Sequence, residues 1–330
     1  MQASVVVPTY NRRDSLLVAL DGLDRQTASP SEFEVIVVSD GSSDGTEEAV
    51  RQRASRYRLR MLEQPNSGPA AARNHGARAA CTDIIVFMDD DIEPAPSFVE
   101  EHLRAHAADP DVVIIGPQSM PPGERFPVWI AWEHRMLERQ YERFQSGEWL
   151  PGPNNLYSGN MSLRRGLLLD AGGFDVRYTR QEDVELGFRL AHRGATFRFV
   201  PQAIGYHRPS RTFRSWCNTP YQYGVRDVEM AREKGQQEAL ALARKHYRER
   251  NILTRALARA AIGRRVIEPA VLRALPATAI ALDRVGLRQV SLAMLSVLFN
   301  LLYLQGMCRE LGGAHRLWET LRGAPDSPSV

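Results

Sequence analysis

An acidic triplet, Asp89-Asp90-Asp91, directly follows the apolar run 84–88. Carboxylates at the end of a buried strand repel one another and lose hydration, so they need compensation, which a divalent cation supplies. Mg²⁺ or Mn²⁺ bound by one or two carboxylates completes its shell with water and phosphate oxygens, which implies a phosphorylated substrate. The alternative is that the acids favour the start of the following helix, near Ser97.

Two further polar positions follow earlier apolar runs. Asp40 could accept a hydrogen bond from a base or a ribose, whereas Asp44 suits the N-cap of the next helix. Tyr10 could stack on a nucleobase, or it could be a half-buried core aromatic. Each of these residues, taken alone, also fits an ordinary structural use.

Glu182 and Asp183 lie at a predicted helix start, where the helix dipole by itself favours acids. One of them could act as a general base, because apolar neighbours such as Phe174 and Phe188 would hold its pKa high. His207 is a single histidine, and in isolation it suggests a structural role more than a ligand.

The elements that must position these residues alternate along the first hundred residues. Apolar runs predict strands at 4–8, 33–39, 59–62 and 84–88, and the stretches between them predict helices at 15–23, 46–57 and 69–80. Apolar strands separated by helices indicate βαβ units and a parallel sheet covered on both faces. Ligands bind beyond the carboxyl ends of such strands, and polar clusters follow all four of them.

The pattern is looser beyond residue 99. We expect strands at 112–115, 159–163 and 196–200, and helices at 126–144 and 184–192. From residue 211 onward the patterns are only helical, with Pro269 and Pro276 as expected breakers and a polar segment at 324–330.

In their order along the chain, these motifs resemble the family-two glycosyltransferases, which have the GT-A nucleotide-sugar-binding fold. The matching motifs, spread over residues 3–210, are Pro8-Thr9-Tyr10-Asn11-Arg12, Asp40-Gly41-Ser42-Ser43-Asp44, Asn66-Ser67-Gly68, Ala72-Arg73-Asn74, Asp89-Asp90-Asp91, Gly159-Asn160, Gly172-Gly173-Phe174-Asp175 and Glu182-Asp183. One such motif is weak evidence, whereas the whole series in the family's order is strong. The resemblance implies an α/β fold with a mostly parallel sheet, helices on both faces and a C-terminal helical region.

The resemblance also implies roles for the matching residues. Those that would bind the nucleotide sugar are Pro8, Thr9, Tyr10, Arg12, Asp40, Asn66, Gly68, Arg73, Asp89 and Asp90. Among them, Pro8, Tyr10 and Asp40 would frame the nucleobase. Asp89 would hold the ribose, and Arg73 would meet the ribose or the phosphates.

Metal and catalytic roles follow from the same resemblance. Asp91 would hold a divalent metal, Mn²⁺ or Mg²⁺, on the diphosphate, and His207 resembles a late histidine near the diphosphate or metal. Asp183 takes the position of the family's catalytic base, with Glu182 beside it in the catalytic pair.

The implied activity is inverting transfer of a sugar from a nucleotide-diphospho-sugar to a hydroxyl of a glycan or lipid-linked acceptor, in cell-envelope polysaccharide biosynthesis. A UDP-sugar is the first expectation, GDP- and dTDP-sugars are alternatives, and no nucleic-acid partner is expected. Residues 121–158 should shape the acceptor site, with Trp129, Trp132 and Trp149 as sugar-stacking candidates and helix-core packing as the alternative for the first two. Two other functions remain open: a sugar-phosphate nucleotidyltransferase, which resembles this chain less because it begins with a glycine-rich phosphate loop, and an inactive binding or scaffold protein.

We expect a catalytic domain over 1–210, with a donor half at 1–118 and an acceptor half at 119–210, and a basic helical region over 211–330. Residues 1–210 carry six more acidic than basic side chains, and the remainder carries nine more basic than acidic ones. The acidic part suits metal ions and the basic part suits anionic lipid, although arginines on solvated helix faces give the same balance.

The cysteines and one long uncharged segment bear on the cellular compartment and on membrane contact. Three scattered cysteines are too few for a disulfide framework, and the chain starts directly on an apolar strand pattern, so a cytoplasmic protein is expected. Residues 289–308 carry no charge and are long enough to span a bilayer, but polar residues interrupt them. We therefore expect a buried helix or one that lies on a membrane surface, in preference to a membrane-spanning helix. Peripheral attachment at the inner face of the plasma membrane is a hypothesis.

Overall fold

The computed structural model describes residues 2–323, and the internal contacts of the chain divide it into two compact units. The first unit contains the chain up to Glu124 together with His134–Pro209, and the second contains Arg125–Glu133 together with the chain from Ser210 onward. The segment Arg125–Glu133 thus belongs to the second unit, whereas the sequence analysis assigns it to the acceptor half.

Strands of the first unit form two sheets. In chain order they are β1 (Ala3–Thr9), β2 (Phe33–Ser39), β3 (Arg58–Glu63), β4 (Ile84–Met88), β5 (Ile92–Pro94), β6 (Val113–Ile115), β7 (Gln118–Ser119), β8 (Asn160–Arg164), β9 (Phe197–Phe199) and β10 (Gly205–His207). The main sheet has the order β3-β2-β1-β4-β8-β6-β9, and a small sheet has the order β5-β10-β7. In the main sheet, neighbouring strands are parallel except where β8 pairs antiparallel with β4 and β6.

Helices cover both faces of the main sheet. The helices up to residue 209 are α1 (Arg13–Asp24), α2 (Thr46–Arg51), α3 (Pro69–Ala79), α4 (Phe98–Ala108), α5 (Val128–Gln145), α6 (Arg165–Asp170) and α7 (Glu182–Ala191). Side chains alternate across a strand, so Val5 and Val7 pack in a core with α1 and α4, whereas Val6 packs in a second core with α3 and α7. This arrangement confirms the predicted α/β class with a mostly parallel sheet.

Some local predictions for the first unit were wrong. The helix expected to run from Thr46 toward Tyr57 ends at Arg51, because Tyr57 is buried with its ring 5.3 Å from that of Phe33. Gly45, one residue after the predicted Asp44, occupies the N-cap of this helix. The strands β5, β7 and β10 were not predicted, because their short sequences, Ile-Glu-Pro, Gln-Ser and Gly-Tyr-His, contain no apolar run.

The second unit is helical as far as residue 323, as predicted, and the segment 324–330 lies outside the described residues. Its helices after residue 209 are α8 (Phe213–Glu233), α9 (Gln237–Glu249), α10 (Ile252–Ala261), α11 (Ile267–Arg284), α12 (Arg288–Glu310) and α13 (Ala314–Arg322). The prediction that Pro269 and Pro276 break the helical region was wrong, since the helix α11 contains both of them. Pro269 is in the first turn, where a helical residue has no intrahelical N–H bond to lose.

The uncharged segment 289–308 lies within α12, which is the one helix among the described residues that is long and apolar enough to cross a membrane. Its leucines at 292, 295, 298, 301 and 304 are buried, and 44% of its most apolar stretch is buried inside the protein. Gly224 of α8 and Gly306 of α12 each face a backbone carbonyl of the other helix so closely that a Cβ would collide with it. These features are typical of a core helix in tight contact with its neighbour.

Candidate active site

The acidic triplet lies where β1 and β4 end side by side in the main sheet. Thr9, the last residue of β1, donates its hydroxyl to Oδ2 of Asp90 over 2.8 Å. The triplet leads into the strand β5 and not into a helix, so the alternative that these acids start a helix near Ser97 is wrong. The strand order of the sheet therefore positions the triplet on the rim that the sequence predicts.

Arg12 returns over the same carboxylates from the loop after β1. One guanidinium nitrogen donates to Oδ1 of Asp90 at 3.0 Å and to Oδ2 of Asp91 at 2.8 Å. The preceding residue, Asn11, has a φ of 51°, a left-handed conformation that turns the chain back on itself. Asn11 is held there because its side-chain oxygen accepts a 2.7 Å hydrogen bond from the backbone N–H of Ser43.

Asp91 and His207 meet through the small sheet. The strand β10 pairs antiparallel with β5, and His207 stands opposite Ile92 in the register. Nε2 of His207 lies 3.5 Å from Oδ1 of Asp91. Burial opposes ionisation of Asp91, but His207 and Arg12 outweigh it and lower the pKa of this carboxyl to about 2. Asp91 is therefore an anion at neutral pH.

The donor atoms at this point fit a divalent metal. An ionised carboxylate oxygen of Asp91 and an imidazole nitrogen of His207 are ligand types that Mn²⁺ accepts in proteins. Among residues 2–323, no group of three or more His, Cys, Asp and Glu side chains is arranged as a complete cage. Two protein donors suit an ion that takes its remaining ligands from water and phosphate oxygens.

The middle acid, Asp90, has a different environment. It is buried against Thr9 and Arg12, and burial raises its pKa to about 7 although Arg12 opposes the shift. Its two oxygens accept hydrogen bonds from these two protein groups, so Asp90 links the loop after β1 to the triplet. Its predicted contact with the nucleotide sugar stays a prediction.

Asp89 faces the other side of the triplet and is one-third exposed. Its Oδ1 accepts a 2.6 Å hydrogen bond from Arg73. A Cβ on Gly159 would lie 2.6 Å from Oδ2 of Asp89, so any other residue at position 159 would collide with this carboxylate. This is a physical reason for the Gly159-Asn160 motif that the sequence analysis lacks.

Arg73 is buried and joins the triplet to the helix α7. One terminal nitrogen donates to Asp89 and the other donates to Oε1 of Glu182 at 2.9 Å. The guanidinium also lies 5.7 Å from the ring centre of Phe174. Burial disfavours its charge, yet the two carboxylates outweigh burial and raise the pKa of Arg73. Both terminal nitrogens thus bind protein carboxylates, and the predicted contact of Arg73 with ribose or phosphate stays a prediction.

Asp183 lies in the first turn of α7. The N-cap of this helix is Gln181, which has a left-handed backbone conformation with a φ of 58°. Its carboxylate accepts hydrogen bonds from the backbone N–H groups of Ser158, at 3.2 Å, and Val184, at 2.9 Å. Burial, assisted by the adjacent charge of Glu182, raises the pKa of Asp183 to about 7. This is a carboxyl group whose proton affinity suits general base catalysis near neutral pH.

Asn74, next to Arg73 on α3, fixes the glycine turn that precedes α7. Its side chain donates to the carbonyl of Phe174 at 2.7 Å and accepts from the N–H of the same residue at 2.8 Å. A Cβ on Gly173 would lie 2.5 Å from the side-chain oxygen of Asn74. One turn of α3 therefore positions both the acidic triplet and the segment leading to Asp183, a role that the motif Ala72-Arg73-Asn74 does not reveal from sequence.

The predicted nucleobase residues lie on neighbouring loops. Asp40 accepts hydrogen bonds from the side chain of Gln64 and from the backbone N–H groups of Ser67 and Gly68, each at 2.8 Å. It thereby orders the loop that contains the exposed Asn66. Contact of Asp40 or Asn66 with a nucleobase stays a prediction.

Pro8 is buried at the end of β1, whereas Tyr10 is 50% exposed. Tyr10 is therefore half buried, as the alternative expects, but it does not belong to either core cluster that packs on the main sheet. An exposed ring beside the rim leaves a face for stacking.

The tryptophans differ in their surroundings. In the second unit, Trp132 is buried with its ring 5.4 Å from that of Trp216, and Trp129 lies 5.3 Å from Phe213, so both pack among helices. In the first unit, Trp149 is 40% exposed. Trp149 is the one exposed candidate of the three, and the guanidinium of Arg143 lies 4.3 Å from its ring centre and covers one face of the ring.

Solved structures share this fold. The mannosyltransferase PcManGT from Pyrobaculum calidifontis, in complex with GDP-Man and Mn²⁺, superposes with a TM-score of 0.60 at 21% identity, over 92% of this chain and 86% of its own. Residues 1–349 of S. aureus TarS, in complex with UDP-GlcNAc, give a TM-score of 0.56 at 20% identity, over 96% and 93%. The architecture is thus the GT-A fold of nucleotide-sugar-dependent glycosyltransferases.

The sequence itself identifies the family. Residues 4–171 match the family model described as Glycosyl transferase family 2, and the chain belongs to this family of glycosyltransferases. It is 32% identical over 232 residues to validoxylamine A glucosyltransferase of Streptomyces hygroscopicus subsp. limoneus, covering 62% of this chain and 51% of the relative. It is also 32% identical over 226 residues to the pre-mycofactocin glycosyltransferase of Mycobacterium tuberculosis, covering 67% and 46%. The chain therefore spans about half the length of these relatives.

Proposed function

We propose that the protein is an inverting, metal-assisted glycosyltransferase that moves a sugar from a nucleoside-diphospho-sugar to a hydroxyl of a glycan or lipid-linked acceptor. The observation that carries this proposal is the buried Arg73, which joins the acidic triplet through Asp89 to the start of α7 through Glu182. Arg73 thereby ties the rim proposed for the diphosphate to the first turn of α7, which contains Asp183 with its pKa of about 7. Membership of glycosyl transferase family 2 supports the same conclusion.

The proposed donor is a UDP-sugar, with GDP- and dTDP-sugars as alternatives. Support comes from structures of the same fold that are described in complex with UDP-GlcNAc and with GDP-Man and Mn²⁺. Tyr10, after β1, offers the exposed ring for the base, and the loop fixed by Asp40 follows β3, which β2 separates from β1 in the sheet. A divalent ion, Mn²⁺ or Mg²⁺, would be held by Asp91 and His207 and would neutralise charge on the departing diphosphate.

Asp183 is the proposed general base. It removes the proton from the acceptor hydroxyl as the oxygen attacks the anomeric carbon on the face opposite the leaving diphosphate. The anomeric carbon gains positive character, as in glycoside hydrolysis, and a single displacement inverts its configuration without an enzyme nucleophile. The environment of Asp183 suits this step, because a pKa of about 7 gives a stronger base than an exposed aspartate that is still available at neutral pH.

Arg73 and Glu182 are proposed as positioning residues for this base. The ion pair fixes the first turn of α7, and the negative charge of Glu182 strengthens Asp183 as a base. Arg73 acts in the opposite sense, because its positive charge favours the ionised form of Asp183. Burial raises the pKa of Asp183, and these two neighbours adjust it in opposite directions.

We place the protein in the cytoplasm, at the inner face of the plasma membrane, in the synthesis of a cell-envelope polysaccharide. The free state of Cys81, Cys217 and Cys308 supports a reducing compartment. The basic surplus of residues 211–330 supports contact with anionic lipid.

The test of this function is a donor panel. UDP-, GDP- and dTDP-sugars are first screened by thermal shift with and without Mn²⁺, because ligands that bind only the native state raise the Tm. Turnover is then measured as release of nucleoside diphosphate, which a nucleotidyltransferase would replace with pyrophosphate and a scaffold would not produce. Asp183→Asn should retain the thermal shift and lose about 100-fold or more in turnover. Near-normal turnover in that variant would remove Asp183 from its role.

A further inference from the structure

Exposed large apolar side chains are concentrated in one part of the second unit. Of the 13 such side chains in the described chain, seven fall between residues 252 and 290, namely Ile252, Leu253, Val266, Ile267, Val285, Leu287 and Val290. Single exposed apolar residues are ordinary, whereas a concentration of this kind marks an interaction surface. Val266, Ile267 and Val285 lie at or directly next to the two ends of α11, and Leu287 follows in the short connection to α12.

The exposed face of α11 is continuous between those ends. Exposed residues recur three or four positions apart, as one face of a helix requires, and they are Val266, Ala270, Arg273, Ala277, Ala281 and Arg284. We name this set the α11 stripe. Val285 and Leu287, which are 71% and 51% exposed, extend it beyond the last turn.

The exposed charges of the α11 stripe are all positive. Arg273 and Arg284 are exposed, and within residues 2–323 neither pairs with a carboxylate. The acids of the same helix are turned to protein partners. Glu268 accepts hydrogen bonds from the N–H of Gly263 and the side chain of Gln305, and Asp283 pairs with Arg288 at 3.2 Å.

We propose that the α11 stripe lies flat on an anionic membrane surface. A helix face with small and β-branched apolar residues flanked by arginines matches the boundary between acyl chains and phosphates, where each guanidinium binds lipid phosphate. A second copy of the chain fits less well, since a two-fold antiparallel contact centred on α11 would bring Arg273 of one copy within about one turn of Arg273 of the other.

This surface differs from the one that composition suggests. The uncharged segment 289–308 has the length of a span, but its leucines point into the core of the second unit. The residues of the second unit that α12 does not bury, and that lie beside exposed arginines, are those of α11 and its ends. The contact does not depend on the proposed sugar transfer, so it is testable without a donor or an acceptor.

The experiment is co-sedimentation of the full chain with vesicles of phosphatidylcholine alone and of phosphatidylcholine mixed with phosphatidylglycerol. The wild type should bind the mixed vesicles and not the neutral ones, and added salt should weaken binding because charge is screened. Arg273→Glu combined with Arg284→Glu should reduce binding at least about tenfold. Val266→Ser combined with Val285→Ser should also reduce it, because apolar burial contributes.

A matched control is Arg78→Glu combined with Arg193→Glu, which changes the net charge equally. Both residues are exposed and belong to the first unit, Arg78 in the last turn of α3 and Arg193 just after α7, and neither is part of the α11 stripe. This control should bind vesicles within about threefold of the wild type, and circular dichroism should show that every variant is folded. Equal binding by the α11 charge reversal and the wild type would overturn the proposal, as would absence of binding to any vesicle. A dimer in sedimentation velocity that the α11 reversal dissociates would assign the stripe to a second copy instead.

Discussion

Two neighbours of Asp183 should move the pH dependence of turnover in opposite directions. The acid limb of kcat against pH should lie near 7, because burial and the charge of Glu182 raise the pKa of Asp183 to about 7 and the base must lose its proton to act. Glu182→Gln removes a negative charge from the adjacent residue and leaves the charge of Arg73 less compensated. Both changes favour the ionised form of Asp183, so the acid limb should move to lower pH.

The size of this shift follows from general electrostatics. A charge in direct contact moves a buried carboxyl by about one to two pH units, and one unit corresponds to about 1.4 kcal/mol. Arg73→Gln should have the opposite effect, because it removes the positive charge that Asp89 and Glu182 share. Its acid limb should move to higher pH by a similar amount. Arg73→Lys keeps the charge, so it should restore much of the wild-type profile.

The assay is release of nucleoside diphosphate over pH 5 to 9 with saturating donor and Mn²⁺, with folding of each variant checked by circular dichroism. Opposite shifts for Glu182→Gln and Arg73→Gln are the expected result. Shifts of the same sign, or profiles that superpose on the wild type, would refute the argument that these charges set the proton affinity of the base.

Three other outcomes follow from single contacts. Asp183→Asn should raise the Tm relative to the wild type more at pH 8 than at pH 5. The pKa of this carboxyl is about 4 in the unfolded chain and about 7 in the folded protein, so the stabilisation that the wild type has below pH 4 is lost as the pH rises through 7, whereas the variant has no such loss. An equal change of Tm at both pH values would contradict the raised pKa. Gly159→Ala should lower turnover at least about tenfold with the fold retained, because the new Cβ displaces the carboxylate of Asp89; wild-type turnover would show that the position of this carboxylate is unimportant. Gly306→Ala should lower the free energy of unfolding by about 1–3 kcal/mol in urea, because α8 and α12 must separate to admit a methyl group; unchanged stability would contradict the tight crossing.

The sequence predicted the main sheet well because its strands are apolar throughout. Residues 33–39 and 84–88 coincide with β2 and β4, and in each case the strand is buried on both faces. Such strands need no knowledge of distant partners, since composition and the adjacent turns define them. The polar clusters after them were found for the same reason.

The contacts between clusters could not be predicted in this way. Asp91 and His207 meet because β5 and β10 pair, and neither of these three-residue strands contains an apolar run that the sequence could reveal. Arg73 was expected on the ribose or phosphates, whereas in the fold it bridges Asp89 and Glu182, which are far apart in sequence. The apolar neighbours predicted a raised pKa for one of Glu182 and Asp183, but the assignment to Asp183 and the parts played by Glu182 and Arg73 require the packed structure.

The most direct test of the account is calorimetric titration of nucleotide sugars into the purified protein with and without Mn²⁺. The wild type should bind at least one UDP-, GDP- or dTDP-sugar more tightly with the metal, and Asp91→Asn should lose most of that gain, because Asp91 is the ionised acid beside His207. Binding that is indifferent to Mn²⁺, or a gain that Asp91→Asn retains in full, would contradict the assignment of the acidic rim to a metal-bridged diphosphate.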